Sequence, residues 1–234
     1  KYCYISVRPL PQFFEHRHRI VYSQVENVTE IDEIQHPAVR AVLMDQKIDL
    51  GLEIHHDGDL PARSGLGSSS SFTVGLLNAL SALKGHMMGK RDLAEQAIRI
   101  EQQVIVEHVG SQDQIWAAYG GLNRIDFPKH GNFDVRPAIL MAARRKELLG
   151  SMLLFFTGLS RYAPEIAKKQ IDNLDKRQSQ LRSMVGLVDE GIDVLQSDDR
   201  PVREVGELLH QSWRLKRELA DNVTTPEIDE IYEA

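Results

Sequence analysis

The stretch that decides the fold is DLPARSGLGSSSSFTVGLLNAL, residues 59–80. Its run of Gly and Ser has the composition of a flexible connector. Alternation of apolar and polar residues over 48–55 nevertheless predicts a strand before it, and apolar residues at helical spacing over 72–83 predict a helix after it that ends near Gly85. The apolar positions of the predicted strand are Ile48, Leu50, Leu52 and Ile54, and those of the predicted helix are Phe72, Leu76, Leu80 and Leu83. The stretch is therefore predicted to be a strand–turn–helix connection.

The overall composition is that of a globular protein. The chain has 234 residues, of which 42% are hydrophobic and 26% charged, and its formal net charge is −6. This charge argues against a nucleic-acid partner, because nucleic-acid binders concentrate Lys and Arg on one face. Cys3 is the only cysteine, so neither an internal disulfide nor a Cys-rich metal site can form. With no run of 18 apolar residues and no signal-peptide pattern, we expect a cytoplasmic protein without a membrane partner.

The Gly/Ser turn has the features of an anion site. Glycines at Gly65 and Gly67 let the backbone approach a ligand without interference from Cβ atoms. The following helix begins with free N–H groups and a partial positive charge of roughly +0.5. The pattern differs from a Walker A loop, because Ser68 follows Gly67 where a lysine is required, and from a dinucleotide fingerprint, because Ser70 replaces the third glycine. The residues alone leave two alternatives open: a phosphate-binding turn, or a serine-capped helix after an ordinary turn.

The segment LPARSGLGSSSSF resembles the phosphate-binding loop of the GHMP kinases, the superfamily of galactokinase, homoserine kinase and mevalonate kinase. The superfamily pattern Pro-x-x-x-Gly-Leu-Gly-Ser-Ser matches without a gap from Pro61 to Ser69. This resemblance implies ATP and Mg²⁺ as the cofactors of a small-molecule kinase. The residues that it implies for nucleotide binding are Pro61, Arg63, Ser64, Gly65, Leu66, Gly67, Ser68, Ser69 and Ser70.

Phosphoryl transfer also needs a bridging cation, a carboxylate that holds it and a group that orients the acceptor hydroxyl. In GHMP kinases a helical Glu binds Mg²⁺ together with a loop serine, and an Asp at the next loop–helix junction faces the hydroxyl. By position, the resemblance implies Glu101 and Ser69 as metal ligands and Asp113 as the catalytic base or orienting residue. Ser68 is an alternative to Ser69, and Glu107 is an alternative to Glu101. Taken without the resemblance, Asp113 could instead be an N-cap of the following helix.

The resemblance extends along nearly the whole chain to a family of bacterial D-glycero-α-D-manno-heptose 7-phosphate kinases. The segments that carry it are SGLGSSSSFTVGLLNAL (64–80), VGSQDQIWAAYGGLNRIDF (109–127), FFTGLSRYAPEI (155–166) and NVTTPEIDEIYE (222–233). It implies transfer to the anomeric hydroxyl to give a 1,7-bisphosphate, in the route to GDP-heptose for lipopolysaccharide or capsule. The alternatives are a kinase for a fucose- or galactose-type sugar and a non-catalytic nucleotide or sugar sensor.

The sugar phosphate is expected to contact a separate set of residues. A phosphorylated substrate requires a cation for its phosphate group, preferably the forked guanidinium of an arginine. Arg161 is the first candidate for that role, and Arg124 and Arg63 are alternatives. The substrate-binding residues implied together are Gly110, Gln112, Asp113 and Arg161. A homodimer is one alternative for the quaternary state.

The predicted fold is α+β, with the two-domain GHMP architecture that the resemblance implies. Residues 1–147 would form an ATP-binding domain similar to domain 2 of ribosomal protein S5, and residues 148–234 a ferredoxin-like domain. The apolar run Ser151–Thr157 is expected to be a buried strand, and Pro226 is expected at the first position of a helix. GHMP kinases carry an N-terminal Gly-rich turn with an Asp and a C-terminal Gly-rich motif, and neither is seen in this sequence. We therefore expect the chain to be part of a longer protein, truncated at both termini.

Overall fold

The computed structural model describes residues 2–59, 65–130, 132–155, 157, 171, 173–220 and 223–233. The described residues up to Gly121 form one compact unit, and those from Leu122 onward form a second. Each unit contains both helices and strands, which confirms the predicted α+β class. The division into domains at residues 147–148 stays a prediction.

The first unit is built on a four-stranded mixed sheet. Its strands are β1 (Cys3–Pro9), β2 (His18–Val21), β3 (Val25–Val28) and β4 (Leu52–Gly58), in the order β1-β4-β2-β3. Strand β4 lies between β1, to which it is antiparallel, and β2, to which it is parallel. Strands β2 and β3 form an antiparallel hairpin.

Strand β4 begins at Leu52, so the prediction of a strand from Ile48 was wrong for its first residues. The helix that precedes this strand, Pro37–Asp45, accounts for the difference. Lys47 has φ +50°, and the Ile48 amide donates to the carbonyl of Leu43 at 3.0 Å. These residues close the C-terminus of that helix, which satisfies carbonyls that would otherwise be unpaired. Helix capping therefore takes precedence over the period-two pattern at this point.

The helices of the first unit carry the residues of interest. They are a 3₁₀ turn (Ile31–Glu33), α1 (Pro37–Asp45), α2 (Ser68–Leu83), α3 (Lys90–Arg99), a π-helical segment (Ile100–Val104) and α4 (Gln112–Tyr119). Helix α2 confirms the prediction from residues 72–83, and it ends just before Gly85, which has φ +77°.

The core of this unit lies between α2 and one face of the sheet. Leu76 and Leu80 of α2 are fully buried, as are Leu52 and Ile54 of β4. Burial of each such side chain contributes about 1.5–3 kcal/mol. Gly75 brings α2 close to β1, because a Cβ atom there would lie only 2.9 Å from Ile5 Cγ1. The missing side chain therefore sets the distance between the helix and the sheet.

Strand β4 also carries Glu53, which is buried with its carboxylate paired. The alternation of apolar and polar residues in the sequence places this residue on the polar face of the strand. It lies opposite Arg8 of β1 and Arg19 of β2 in the strand register. Arg8 Nε donates to Glu53 Oε2 at 2.6 Å, and His55 Nε2 lies 2.8 Å from Oε1. Hydrogen bonds from His55 and Arg8 hold the pKa of Glu53 below its ordinary value. These cross-strand pairs specify the register of β4 between its two neighbours.

The second unit has a two-stranded antiparallel sheet and several helices. The elements among its described residues are β5 (Asn123–Asp126), β6 (Asp134–Pro137), α5 (Ala142–Gly150), a 3₁₀ turn (Leu174–Lys176), α6 (Gln178–Gln196), α7 (Arg203–Arg217) and α8 (Pro226–Glu233). Pro226 is the first residue of α8, as predicted. None of the helices described in either unit is long and apolar enough to cross a membrane.

The predicted buried strand over Ser151–Thr157 is wrong for the residues that the structure describes there. Met152–Phe155 has no regular secondary structure, and its four side chains are 61–84% exposed. Helix α5 continues to Gly150, and no strand among the described residues pairs with this run. An apolar run becomes a buried strand only where a neighbouring strand takes its backbone hydrogen bonds.

The close approach at Gly75 gives a stability prediction. We expect Gly75→Ala to destabilise the first unit by about 1–3 kcal/mol, because its methyl group would overpack the contact with Ile5. The control is Gly186→Ala in α6, where a Cβ atom meets nothing within 4 Å; it should stabilise its helix by roughly 0.5–1 kcal/mol. Urea unfolding monitored by circular dichroism measures both. An increase in stability for Gly75→Ala would contradict the packing described.

Candidate functional site

The turn before α2 has the backbone conformation that its glycines predict. Gly65 has φ +73° and Gly67 has φ +66°, both in the left-handed region that favours glycine. Gly67 is the N-cap residue of α2 and has no side chain with which to cap it. The first amides of α2 therefore have no intrahelical acceptor, and they lie at the positive end of the helix dipole. This arrangement suits an anionic ligand.

The four serines that begin α2, residues 68–71, differ in exposure. Ser69 is exposed, whereas Ser70 is buried and its Oγ donates to Glu101 Oε2 at 2.9 Å. Successive helical residues are rotated by about 100°, so only one of them can face the interior at this level of the helix. The structure thus brings Ser70 into contact with Glu101, and the role of Ser69 as a metal ligand stays a prediction. The Ser69 hydroxyl lies one residue earlier, on the exposed side of the same turn.

Glu101 lies in the π-helical segment that follows α3 directly. Such segments are rare and are frequent at functional sites. Its side chain is only 1% exposed, and Oε2 accepts a second hydrogen bond from Gln114 Nε2 at 2.5 Å. Oε1 is also buried, and it has no hydrogen-bond partner among the described residues. The carboxylate is therefore held in place through Oε2, while Oε1 accepts no hydrogen bond from the described residues.

The surroundings of Glu101 disfavour a negative charge. Burial raises the pKa of Glu101, because it removes the water that would solvate the ionised form. The neighbouring Thr73 hydroxyl and the hydrogen bonds from Ser70 and Gln114 act in the opposite direction, and the nearby Glu107 carboxylate raises the pKa of Glu101 further. A cation at Oε1 would supply the missing counter-charge.

The turn after the π-helical segment folds Glu107 back toward Glu101. Val106 has φ +63°, an uncommon and strained conformation for a β-branched residue. The Glu107 amide donates to the Glu101 carbonyl at 2.9 Å, and burial raises the pKa of the Glu107 carboxyl. Glu107 therefore remains a neighbouring carboxylate and an alternative ligand.

Helix α4 places Asp113 against the Gly/Ser turn. The helix has Ser111 as its N-cap, so the alternative that Asp113 is the N-cap was wrong. A Cβ atom at Gly67 would lie 3.1 Å from both Cγ and Oδ2 of Asp113. Gln102 stabilises the loop before α4, since its Nε2 donates to the Val109 carbonyl at 2.9 Å. The structure thus brings the predicted catalytic carboxylate directly against the predicted phosphate-binding turn.

Other predicted site residues fall in different places. Gly110 and Gln112 flank the start of α4 and are both exposed. Arg124, an alternative ligand for the substrate phosphate, donates hydrogen bonds to Asp126, with Nε 2.9 Å from Oδ1, and to Asp189. Its guanidinium group is therefore already paired with carboxylates. The remaining predicted residues lie outside the described residues: Pro61, Arg63, Ser64 and Arg161.

Glu101 fits a magnesium site of the kind found in phosphoryl-transfer enzymes. Mg²⁺ prefers oxygen ligands and is held there by one or two carboxylates together with substrate phosphates and water. Oε1 of Glu101 is a buried carboxylate oxygen without a partner among the described residues, and the hydroxyl of Ser70, in the first turn of α2, contacts the other oxygen of the same carboxylate. In the described part of the chain, three or more His, Cys, Asp or Glu side chains do not come together as a metal cluster.

Sequence reasoning missed the contribution of Gln114. The side chain is fully buried and contacts Glu101, thirteen residues earlier in the chain. One signal was available: Gln114 is three and four residues from Ala117 and Ala118, which pack against the core, so it shares their helical face. A buried amide on an apolar face indicates a specific hydrogen-bond partner.

Comparison with known proteins supports the resemblance. Residues 34–121 match the family described as the GHMP kinases N terminal domain. D-glycero-alpha-D-manno-heptose 7-phosphate kinase from Campylobacter jejuni is 28% identical over 187 residues, which cover 80% of this chain and 55% of that enzyme. Bifunctional fucokinase/GDP-fucose pyrophosphorylase from Arabidopsis thaliana is 26% identical over 202 residues, which cover 83% of this chain and 19% of that protein.

The fold is also similar to that of a solved structure. The crystal structure of a D-glycero-D-manno-heptose 1-phosphate kinase from Bacteroides thetaiotaomicron aligns with a TM-score of 0.63 at 20% identity. The alignment covers 92% of this chain and 67% of that chain. This chain spans about two thirds of that solved chain and just over half of the Campylobacter enzyme, at 55% of its length. At this identity the structural similarity concerns the fold.

The contact between Gly67 and Asp113 gives a prediction for ligand binding. We expect Gly67→Ala to weaken MgATP binding about tenfold, because the left-handed conformation costs a non-glycine residue roughly 1–2 kcal/mol and the new methyl group would displace Asp113. Isothermal titration calorimetry measures the affinity.

The matched control for this variant is Gly85→Ala. Gly85 also has a positive φ, +77°, but a Cβ atom there meets nothing within 4 Å. Its substitution should lower the free energy of unfolding and leave MgATP affinity unchanged. Equal losses of affinity in both variants would show that backbone strain, and not the turn itself, produced the effect.

Proposed function

We propose that this chain, which belongs to the GHMP kinase superfamily, acts as an ATP-dependent kinase on a sugar hydroxyl. The observation that carries the proposal is the approach of Asp113 to Gly67 at the uncapped N-terminus of α2. A kinase requires both features together, an anion-binding turn and a carboxylate facing the acceptor. The residues that supply these features all belong to the first compact unit.

The nucleotide phosphates would bind at the turn Gly65–Ser70. Backbone amides at the start of α2 donate to the phosphate oxygens, and the left-handed glycines keep side chains away from them. Pro61, Arg63 and Ser64 would complete this loop, as the resemblance implies. The positive end of the α2 dipole then favours the polyphosphate over a neutral ligand.

Magnesium would be held by Glu101 through Oε1, with Ser69 as the predicted second ligand. When bound, the ion neutralises charge on the transferring phosphoryl group. The chain's contribution is to keep the carboxylate fixed: Ser70 donates to Oε2 and leaves Oε1 available. Glu107 is the alternative carboxylate close to the same position.

Asp113 would orient the acceptor hydroxyl and receive its proton. The acceptor oxygen then forms a bond to the γ-phosphorus of ATP, while the bond from that phosphorus to the β–γ bridging oxygen breaks and ADP leaves. An anomeric hydroxyl is more acidic than an ordinary alcohol, so a carboxylate is a sufficient base. Catalysis would rest on positioning and on electrostatic stabilisation of the transferred group.

For the substrate, we propose D-glycero-D-manno-heptose 7-phosphate, converted to the 1,7-bisphosphate for GDP-heptose and cell-surface polysaccharide synthesis. The name of the Campylobacter relative supports this choice. Gly110 and Gln112 would contact the sugar, and Arg161 its 7-phosphate. A cytoplasmic location follows from this role. The fucokinase similarity supports the alternative of a fucose- or galactose-type sugar, and a non-catalytic sensor is the alternative from another class.

The catalytic role of Asp113 has a direct test. We expect Asp113→Asn to lower kcat by about 100-fold or more, since general-base catalysis contributes roughly 10²–10⁴-fold, while MgATP affinity is retained. A coupled assay of ADP release measures turnover, and calorimetry measures affinity. Asp198→Asn, at an exposed carboxylate of the second unit, should leave both unchanged. Unaltered turnover in Asp113→Asn would exclude the proposed base.

A substrate panel separates the alternatives. The ADP-release assay is run with heptose 7-phosphate, with the free heptose and with fucose and galactose. We expect turnover with heptose 7-phosphate and a much higher KM for the free heptose, because its 7-phosphate would be bound by an arginine. Turnover of a free sugar alone would overturn the substrate assignment, and MgATP binding without any transfer would favour the sensor.

A further inference from the structure

We propose that Gln114 is a positioning residue that keeps one oxygen of the Glu101 carboxylate available to a divalent cation. This inference rests on the proposed function, because it assumes that Glu101 is a metal ligand. It concerns a residue that no motif or resemblance assigned. Helix α4 presents two consecutive residues to different surroundings, with Asp113 exposed beside Gly67 and Gln114 fully buried.

The two hydrogen bonds to Glu101 are both made to the same oxygen. Gln114 Nε2 lies 2.5 Å from Oε2, and Ser70 Oγ lies 2.9 Å from it. These donors come from two different helices, α4 and α2. Two donors on Oε2 fix the orientation of the carboxylate plane and leave Oε1 unpaired among the described residues. A fixed carboxylate with one available oxygen is suited to a single bond to a cation.

The remaining hydrogen-bonding capacity of Gln114 indicates that its role is more than packing. Its own Oε1 is buried without a partner among the described residues, so this amide is only partly satisfied. Burying an incompletely bonded amide costs free energy, and an apolar side chain of similar volume would avoid that cost. The presence of an amide at this buried position is explained if its N–H group is needed to donate a hydrogen bond to Glu101. Outer-sphere groups of this kind orient ligands, and their loss typically lowers metal affinity 10–100-fold.

The variant that tests the proposal is Gln114→Met. Methionine keeps the length and approximate volume of the side chain but removes the amide donor. The protein is saturated with a non-hydrolysable ATP analogue and titrated with Mn²⁺, with free Mn²⁺ followed by electron paramagnetic resonance. We expect Mn²⁺ affinity to fall about tenfold or more in Gln114→Met. The packing control is Ile115→Val, at the adjacent fully buried position of α4, which should lower the melting temperature without changing Mn²⁺ affinity.

A second comparison distinguishes positioning from a general structural role. In a Glu101→Gln background, Gln114→Met should no longer change Mn²⁺ affinity, because the ligand that it orients is gone. Equal losses with and without Glu101 would refute the proposal, as would unchanged affinity in Gln114→Met. If Gln114→Met does not fold, Gln114→Asn carries the same test, since its shorter side chain moves the amide away from Oε2.

Failure of this inference can be told from failure of the proposed function. If the unmodified protein binds no Mn²⁺ beyond that bound by the analogue alone, the assignment of Glu101 to a cation fails and the inference fails with it. If the unmodified protein binds Mn²⁺ and Gln114→Met binds it equally well, only the inference fails.

Discussion

The candidate site depends on one buried carboxylate. Glu101 accepts hydrogen bonds from Ser70 of α2 and from Gln114 of α4, so three helical segments meet at a single side chain. A buried carboxylate is costly unless hydrogen bonds or a cation compensate for the lost hydration. Two donors give Glu101 partial compensation, and burial, which they do not fully offset, raises the pKa of the group. The same incomplete compensation makes this position suitable for a divalent cation.

The elements around Glu101 are rigid for reasons that lie elsewhere in the unit. Helix α2 packs on the sheet through Leu76 and Leu80 and through the close approach of Gly75 to β1. Once α2 is fixed, its N-terminus and Ser70 are fixed with it. Residues on packed elements hold their geometry more accurately than residues on loops. Val106, a strained position nearby, lies in the turn that returns the chain after the π-helical segment.

The position of the described site residues in one compact unit bears on the proposed reaction. The described groups that would bind phosphate, hold the cation and receive the acceptor proton all lie in the first unit, which contains the residues that match the GHMP kinase N-terminal domain family. Phosphoryl transfer depends on these groups whatever the acceptor is, and this chain is similar in sequence to proteins with different names. Choice of sugar depends on shape and on contacts with its hydroxyl and phosphate groups, for which Arg161 is the proposed anchor.

The sequence by itself determined the local structure wherever backbone chemistry is decisive. Left-handed glycines at Gly65 and Gly67, helix α2 and the α+β class could all be predicted, because glycine conformation and apolar periodicity act over a few residues. Only the tertiary structure decided which serine meets Glu101 and that Gln114 holds it, since both depend on how separate helices are rotated when they pack. The described residues of the run 151–157 form no strand for a related reason: a strand exists only with a partner, and pairing is a property of the whole fold.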